Sequence, residues 1–157
     1  MTYSEDLNNE TPEDAITVLS EEQSLERMKT QSVGRLVVRR ANDMDIFPIN
    51  FVVDTNNPFA EDGTALYFRT AEGTKLFTVN LNADVLFEVD EFHEGENAWS
   101  VVVKGTAALV KDTNEANHAD TLGLKPWVPT LKYNFVRITP KSISGRAFVL
   151  GEEPERY

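Results

Sequence analysis

Between Ile46 and Asp54 the chain reads Ile-Phe-Pro-Ile-Asn-Phe-Val-Val-Asp, with Phe47, Ile49, Phe51 and Val53 at alternate positions. A period of two places four large apolar side chains on one face of a strand and would scatter them around a helix. Pro48 lies inside this run and cannot donate to a ladder, which predicts an edge or a bulge where freed backbone groups are open to a ligand. Asn50 is the polar residue of the run, and on a buried face its amide needs partners.

The same reading extends along the chain. Val33 to Arg39, Thr64 to Thr70 and Trp99 to about Lys111 read as strands, as does Tyr133 to Thr139 ahead of Pro140. Ser142 to Val149 reads as a further edge strand. Asp84 to Phe92 alternates, with Val85, Phe87 and Val89 on one face and Asp84, Glu88 and Asp90 on the other, Leu86 being the exception. Turn residues separate these runs at Asn42-Asp43, across Thr55 to Gly63 and at Glu94-Gly95-Glu96-Asn97. Ser20 before Glu21-Glu22-Gln23 is a capping-box pattern that predicts a helix to about Thr30. Asp112 with Glu115 repeats that pattern and predicts a second helix to about Thr121. Leu76, Phe77, Val79 and Leu81 suggest another short helix, while Pro126-Trp127-Val128-Pro129 cannot be regular helix. The order predicts a mainly β (α+β) chain: a small barrel with short peripheral helices over residues 19–150. Residues 1–18 are expected to be an acidic, extended or mobile leader, and residues 151–157 a tail.

Charge narrows the partners. The 157 residues carry 15 Lys and Arg against 26 Asp and Glu, a formal charge of −11, which opposes nucleic acid and anionic membranes. An anionic ligand would therefore need a local basic pocket. No cysteine is present, so thiolate chemistry and disulfides are excluded. Without a basic leader ahead of an apolar core, and without a bilayer-length apolar run, a cytoplasmic location is expected.

Two histidines, His93 and His118, lie outside any nucleophile motif and read as surface residues. Asp84, Glu88, Asp90, Glu91 and His93 tempt a metal reading, but alternation sends Glu91 and His93 away from the other three, and no metal site is expected. Tyr67-Phe68-Arg69-Thr70-Ala71-Glu72-Gly73-Thr74-Lys75 is the stronger candidate. A strand passes there into a helix start, where unpaired N–H groups and the helix dipole favour an anion. Arg69, Thr70, Thr74 and Lys75 add two cations and two hydroxyls around Gly73. The same residues equally suit a capped helix start with exposed charges.

Gly34-Arg35-Leu36, Pro48 to Asp54, Leu66 to Lys75, Phe87-Glu88-Val89-Asp90 and Trp99 to Gly105, in that order, resemble the pyridoxamine 5′-phosphate oxidase-related flavoproteins. The resemblance runs from about Leu19 to Arg146. It implies an FMN-binding split β-barrel, usually a homodimer with two FMN sites at the interface, acting as an oxidoreductase on a small molecule. By position, Thr70, Thr74 and Lys75 would hold the FMN phosphate with Arg69 nearby. Pro48, Ile49, Asn50 and Phe51 would line the isoalloxazine edge, partly through backbone, and Ser100 with Trp99 would complete the site. Phe51 and Trp99 suit the core or a dimer interface as well, and Trp127 would either cap the flavin or pack. Relatives of this fold take a deazaflavin or haem instead, and a non-catalytic flavin-binding protein is a further alternative. No residue stands out as a catalytic acid or base. The C-terminal Gly151 to Tyr157 lacks the Trp/Arg-bearing segment of true pyridoxamine phosphate oxidases, which argues against vitamin B6 oxidation.

Overall fold

A computed structural model describes residues 15–71, 83–124 and 133–152. The expected helix at Leu76 to Leu81 and the Pro126 to Pro129 segment lie outside those residues. In chain order the elements are β1 (Ile16–Leu19), α1 (Glu21–Met28), β2 (Val33–Arg40), β3 (Asp43–Asp54), β4 (Ala65–Ala71), β5 (Ala83–His93), β6 (Asn97–Leu109), α2 (Thr113–Asp120) and β7 (Tyr133–Val149).

The seven described strands belong to one antiparallel sheet ordered β1-β7-β4-β3-β2-β5-β6, and β6 also pairs with β7. That last pairing closes six strands into a barrel, while β1 lies along the far half of β7, from Ile16 opposite Phe148 to Leu19 opposite Gly145. Closure covers most of the sheet edges that would otherwise template aggregation, with β1 and the first half of β3 paired on one side among the described residues.

The alternation that marked β3 and β5 builds the interior. Phe51, Phe87, Val85, Val89, Leu36, Phe68, Trp99 and Val101 form the buried cluster, with Phe47, Ile49 and Val53 packed against it. Phe51 meets Phe87 edge to face, ring centroids 4.9 Å apart. Leu86, the exception in its strand, faces outward and is 37% exposed. Gly34 is buried against the Phe87 ring, and a Cβ there would collide with it. The glycine therefore sets how closely β2 approaches the core.

Two elements differ from the sequence expectation. Pro140 does not end the last strand: Tyr133 to Val149 is continuous, and the irregularity is a bulge in which Lys104 faces Ser142 while Gly105 faces Pro140. Pro is tolerated at such a bulge because no ladder hydrogen bond is demanded of it there. Ile16 to Val18, the end of the stretch read as a leader, pairs with β7 together with Leu19 as β1. Helix α1 does start on the expected capping box, with Ser20 and Gln23 each bonding the other's backbone N–H. Its Met28 is fully buried in the core cluster.

Helix α2 starts at Asp112, whose carboxylate accepts from the Asn114 amide, but Glu115 does not return to the cap. It turns inward instead. Arg137 Nη1 reaches both Glu115 oxygens at 2.6 and 2.7 Å, and the Tyr67 hydroxyl donates to Oε2 at 2.8 Å. Asn57 Nδ2 donates to the Tyr67 oxygen at 2.8 Å and to Asp54 Oδ2 at 2.9 Å, and His118 Nε2 lies 2.7 Å from the same Asp54 oxygen. This chain of side chains fastens α2 and the β3–β4 loop to the outside of the barrel beside Ala65, Tyr67, Ala119 and Phe135.

Candidate functional site

Alternation divides the candidate residues of β3. Phe51 is 4% exposed and Ile49 packs on the core, so both side chains face inward, whereas Pro48 is exposed and Asn50 half-buried on the outer side. The Phe51 amide is already committed to the Ser32 carbonyl at 3.1 Å. Pro48 does sit where β3 is thinly flanked. The β3–β4 ladder begins at Phe51 opposite Phe68, and the stretch from Asp43 to Asn50 pairs with β2.

Register carries the outer side across four strands. Pro48 faces Arg35 and Asn50 faces Val33; Arg35 faces Glu88; Asp90 faces Ser100 and Glu88 faces Val102. Cross-strand partners share a face, so Pro48, Asn50, Arg35, Glu88, Asp90 and Ser100 form one outward band. In its middle Arg35 Nη1 lies 3.1 Å from Glu88 Oε1 and 3.1 Å from Asp90 Oδ2. Burial, followed by the hydrogen bond and charge of Asp90, pushes the Glu88 carboxyl up to about 7, against the pull of Arg35. Alternation in β5 sets Glu88 and Asp90 on one face of the strand, and the sequence reading placed no cation beside them. The missed signal was a cation in the neighbouring strand, visible once Arg35 is set opposite Glu88.

At the margin of the band, Arg69 follows the last β3–β4 pair and faces Phe135 of β7. Its guanidinium carbon stands 5.6 Å from the Phe135 ring centroid, a cation–π contact that orients the side chain. The atoms Asn50 Oδ1 and Arg69 Nε are both buried. Thr70 is half-buried, and alternation turns it to the opposite side of β4 from Arg69. Thr74 and Lys75 lie outside the described residues.

Trp99 is 3% exposed, its ring in the core and its indole N–H donating to Glu91 Oε1 at 3.1 Å. That bond, ahead of the neighbouring His93, holds the Glu91 carboxyl below the usual range. The structure thus brings Pro48, Asn50 and Ser100 into one band with Arg69 at its margin, and turns Ile49, Phe51 and Trp99 into the core. His118, read as a surface residue, is half-buried against Asp54. Burial raises the Asp54 pKa, but hydrogen bonds from His118, the Asn56 amide and Asn57 outweigh it and hold the carboxyl below its ordinary value.

A cofactor with a phosphate and a flat polar-edged ring finds fitting chemistry here: a buried guanidinium nitrogen at one margin, and an amide, a hydroxyl and a proline-interrupted strand along the band. Among the described residues no helix is long and apolar enough to cross a membrane.

Comparison with known proteins places the molecule. A Corynebacterium diphtheriae protein of unknown function is 63% identical, with 87% of this chain and 100% of that one covered and a TM-score of 0.73. A Corynebacterium glutamicum crystal structure is 56% identical over 88% of this chain and 97% of its own, with a TM-score of 0.77. The FAD-binding protein of Mycobacterium smegmatis is 41% identical, covering 86% of this chain and 100% of that chain, with a TM-score of 0.72. The pyridoxamine 5′-phosphate oxidase family pattern matches residues 20–147. With its closed antiparallel barrel and a match over most of its length, this chain belongs to the pyridoxamine 5′-phosphate oxidase family.

Proposed function

We propose that this chain is a flavoprotein that binds FMN along the outward band and acts as an oxidoreductase on a small molecule. The observation that carries the reading is the convergence of Pro48, Asn50 and Ser100 on one outer face with Arg69 at its margin. Arg69 takes the phosphate end together with Thr74 and Lys75, while Thr70 faces the other side of β4 and is left out of that contact. Pro48 and Asn50 meet the ring edge with Ser100, while Ile49, Phe51 and Trp99 support that edge from the core. Bound flavin supplies the redox chemistry, and the protein binds and orients it and tunes its electronics. The functional unit is a cytoplasmic homodimer in which a second copy completes each site, without nucleic-acid or membrane partners.

The 41% identical M. smegmatis relative binds FAD, which favours FAD as the second reading of the cofactor. Fluorescence titration of cofactor-stripped protein with FMN and with FAD separates the two. Arg69→Ala and Lys75→Ala should each weaken the bound flavin by about 1–3 kcal/mol through loss of a charge-assisted phosphate contact. Unchanged affinity in both variants would remove this stretch from the phosphate site. Light scattering that finds a monomer at micromolar concentration would remove the shared site.

A further inference from the structure

Beside the band, and two residues further along β2, a groove of about 410 Å³ opens between Val37, Val38, Val85, Leu86 and Gly105. Arg39, Lys104 and Lys141 line it together with Met44, and Asp84 is the one carboxylate among the described lining residues. Three cations against one acid is a local reversal in a chain of net charge −11.

Strand register accounts for their meeting. Leu86 of β5 faces both Val37 of β2 and Lys104 of β6, so an apolar row ends in an ammonium group. Lys141 is the extra residue of the β6–β7 bulge, between Ser142 opposite Lys104 and Pro140 opposite Gly105. A bulge re-aims a side chain that regular pairing would send elsewhere. Gly105 permits this one: a Cβ there would collide with the Thr139 carbonyl, so the strands approach as closely as they do only at a glycine. Met44 is 61% exposed, which leaves an apolar wall facing solvent beside the cations. Lys141 Nζ stands 3.4 Å from Asp84 Oδ1, and side chains 65% and 83% exposed hold each other weakly. Lys141 is therefore available to a stronger anion.

We propose that this groove is a binding site for an organic anion with an apolar body, a phosphate, sulfonate or carboxylate on a ring or branched chain. Leu86, Val37 and Met44 receive the body, while Lys104, Lys141 and Arg39 hold the charge. The volume lies within the roughly 300–1,000 Å³ range of small-molecule sites. The site is separate from the phosphate end assigned to Arg69.

The test uses protein saturated with its flavin and titrated with 2-naphthyl phosphate by fluorescence, with 2-naphthol and inorganic phosphate as single-feature controls. One saturable site per chain is expected, with both controls binding more weakly than the whole probe. The Lys104→Gln/Lys141→Gln double variant should lose about tenfold in affinity, because charge-assisted contacts to the anion are removed. Arg69→Ala, loaded with flavin, should bind the probe as the parent does. No saturable binding at millimolar probe would overturn the proposal, as would undiminished binding by the double variant or binding lost in Arg69→Ala. A second copy seated on the groove gives the first of these results. Absent flavin binding leaves the titration interpretable, since unloaded protein then serves as the sample.

Discussion

Two arginine–carboxylate clusters lie on the outside of the same barrel and serve opposite ends. Arg137 and Glu115 meet under α2, where the Glu115 side chain is 5% exposed and also accepts from the Tyr67 hydroxyl. Arg35 meets Glu88 and Asp90 in the open band, where the three side chains are 51%, 28% and 40% exposed. Burial decides the difference. An ion pair removed from water leaves a costly stranded charge if one partner is lost, whereas an exposed pair contributes little. The first cluster fixes architecture. The second leaves a half-solvated carboxyl beside the residues assigned to the flavin ring, free to exchange protons near neutrality.

The sharpest contrast comes from removing the acid in each cluster. Glu115→Ala strands Arg137 and removes the partner of the Tyr67 hydroxyl, and should cost about 3–5 kcal/mol in urea unfolding. A loss under 1 kcal/mol would show that α2 is not fastened by this carboxylate. Tyr67→Phe keeps the ring in place but removes one donor and one acceptor, for a smaller loss of about 1–2 kcal/mol. Burial and Glu115 together raise the pKa of that hydroxyl, so it remains a donor throughout the working pH range.

Glu88→Gln should move stability least but change its pH dependence. A carboxyl raised from 4.5 to about 7 binds its proton more tightly when folded, so its contribution is complete below about 4.5 and is lost as pH rises through 7. Parent protein should therefore lose stability between pH 5 and 8, and Glu88→Gln should flatten that slope. Asp54 works with the opposite sign. Its depressed carboxyl contributes above its unfolded value and loses that contribution as pH falls through the folded one, so acid below about pH 4 should loosen the α2 clasp. An unaltered slope in Glu88→Gln would place the raised carboxyl elsewhere.

The barrel was legible because its inner face is written in period two. Phe47, Ile49, Phe51 and Val53 point inward as their spacing requires, and Leu86 is exposed where the alternation in β5 breaks. Less legible was what happens across strands. Glu115 carries the sequence mark of a helix cap, yet Arg137, 22 residues later, claims it once β7 is beside α2. His118 reads as a surface residue until Asp54, 64 residues earlier, is brought within 2.7 Å. Pro140 reads as a strand end, and register with Gly105 makes it part of a bulge. The band is visible only in register, since Pro48, Arg35, Glu88 and Ser100 come from four separate strands.

What that band holds is tested most directly by the small molecule that copurifies with the protein. Heat-released ligand analysed by absorption and mass should be a flavin, FMN on the leading reading, at about one per chain for a single site. A colourless protein that takes up neither FMN nor FAD would contradict the account.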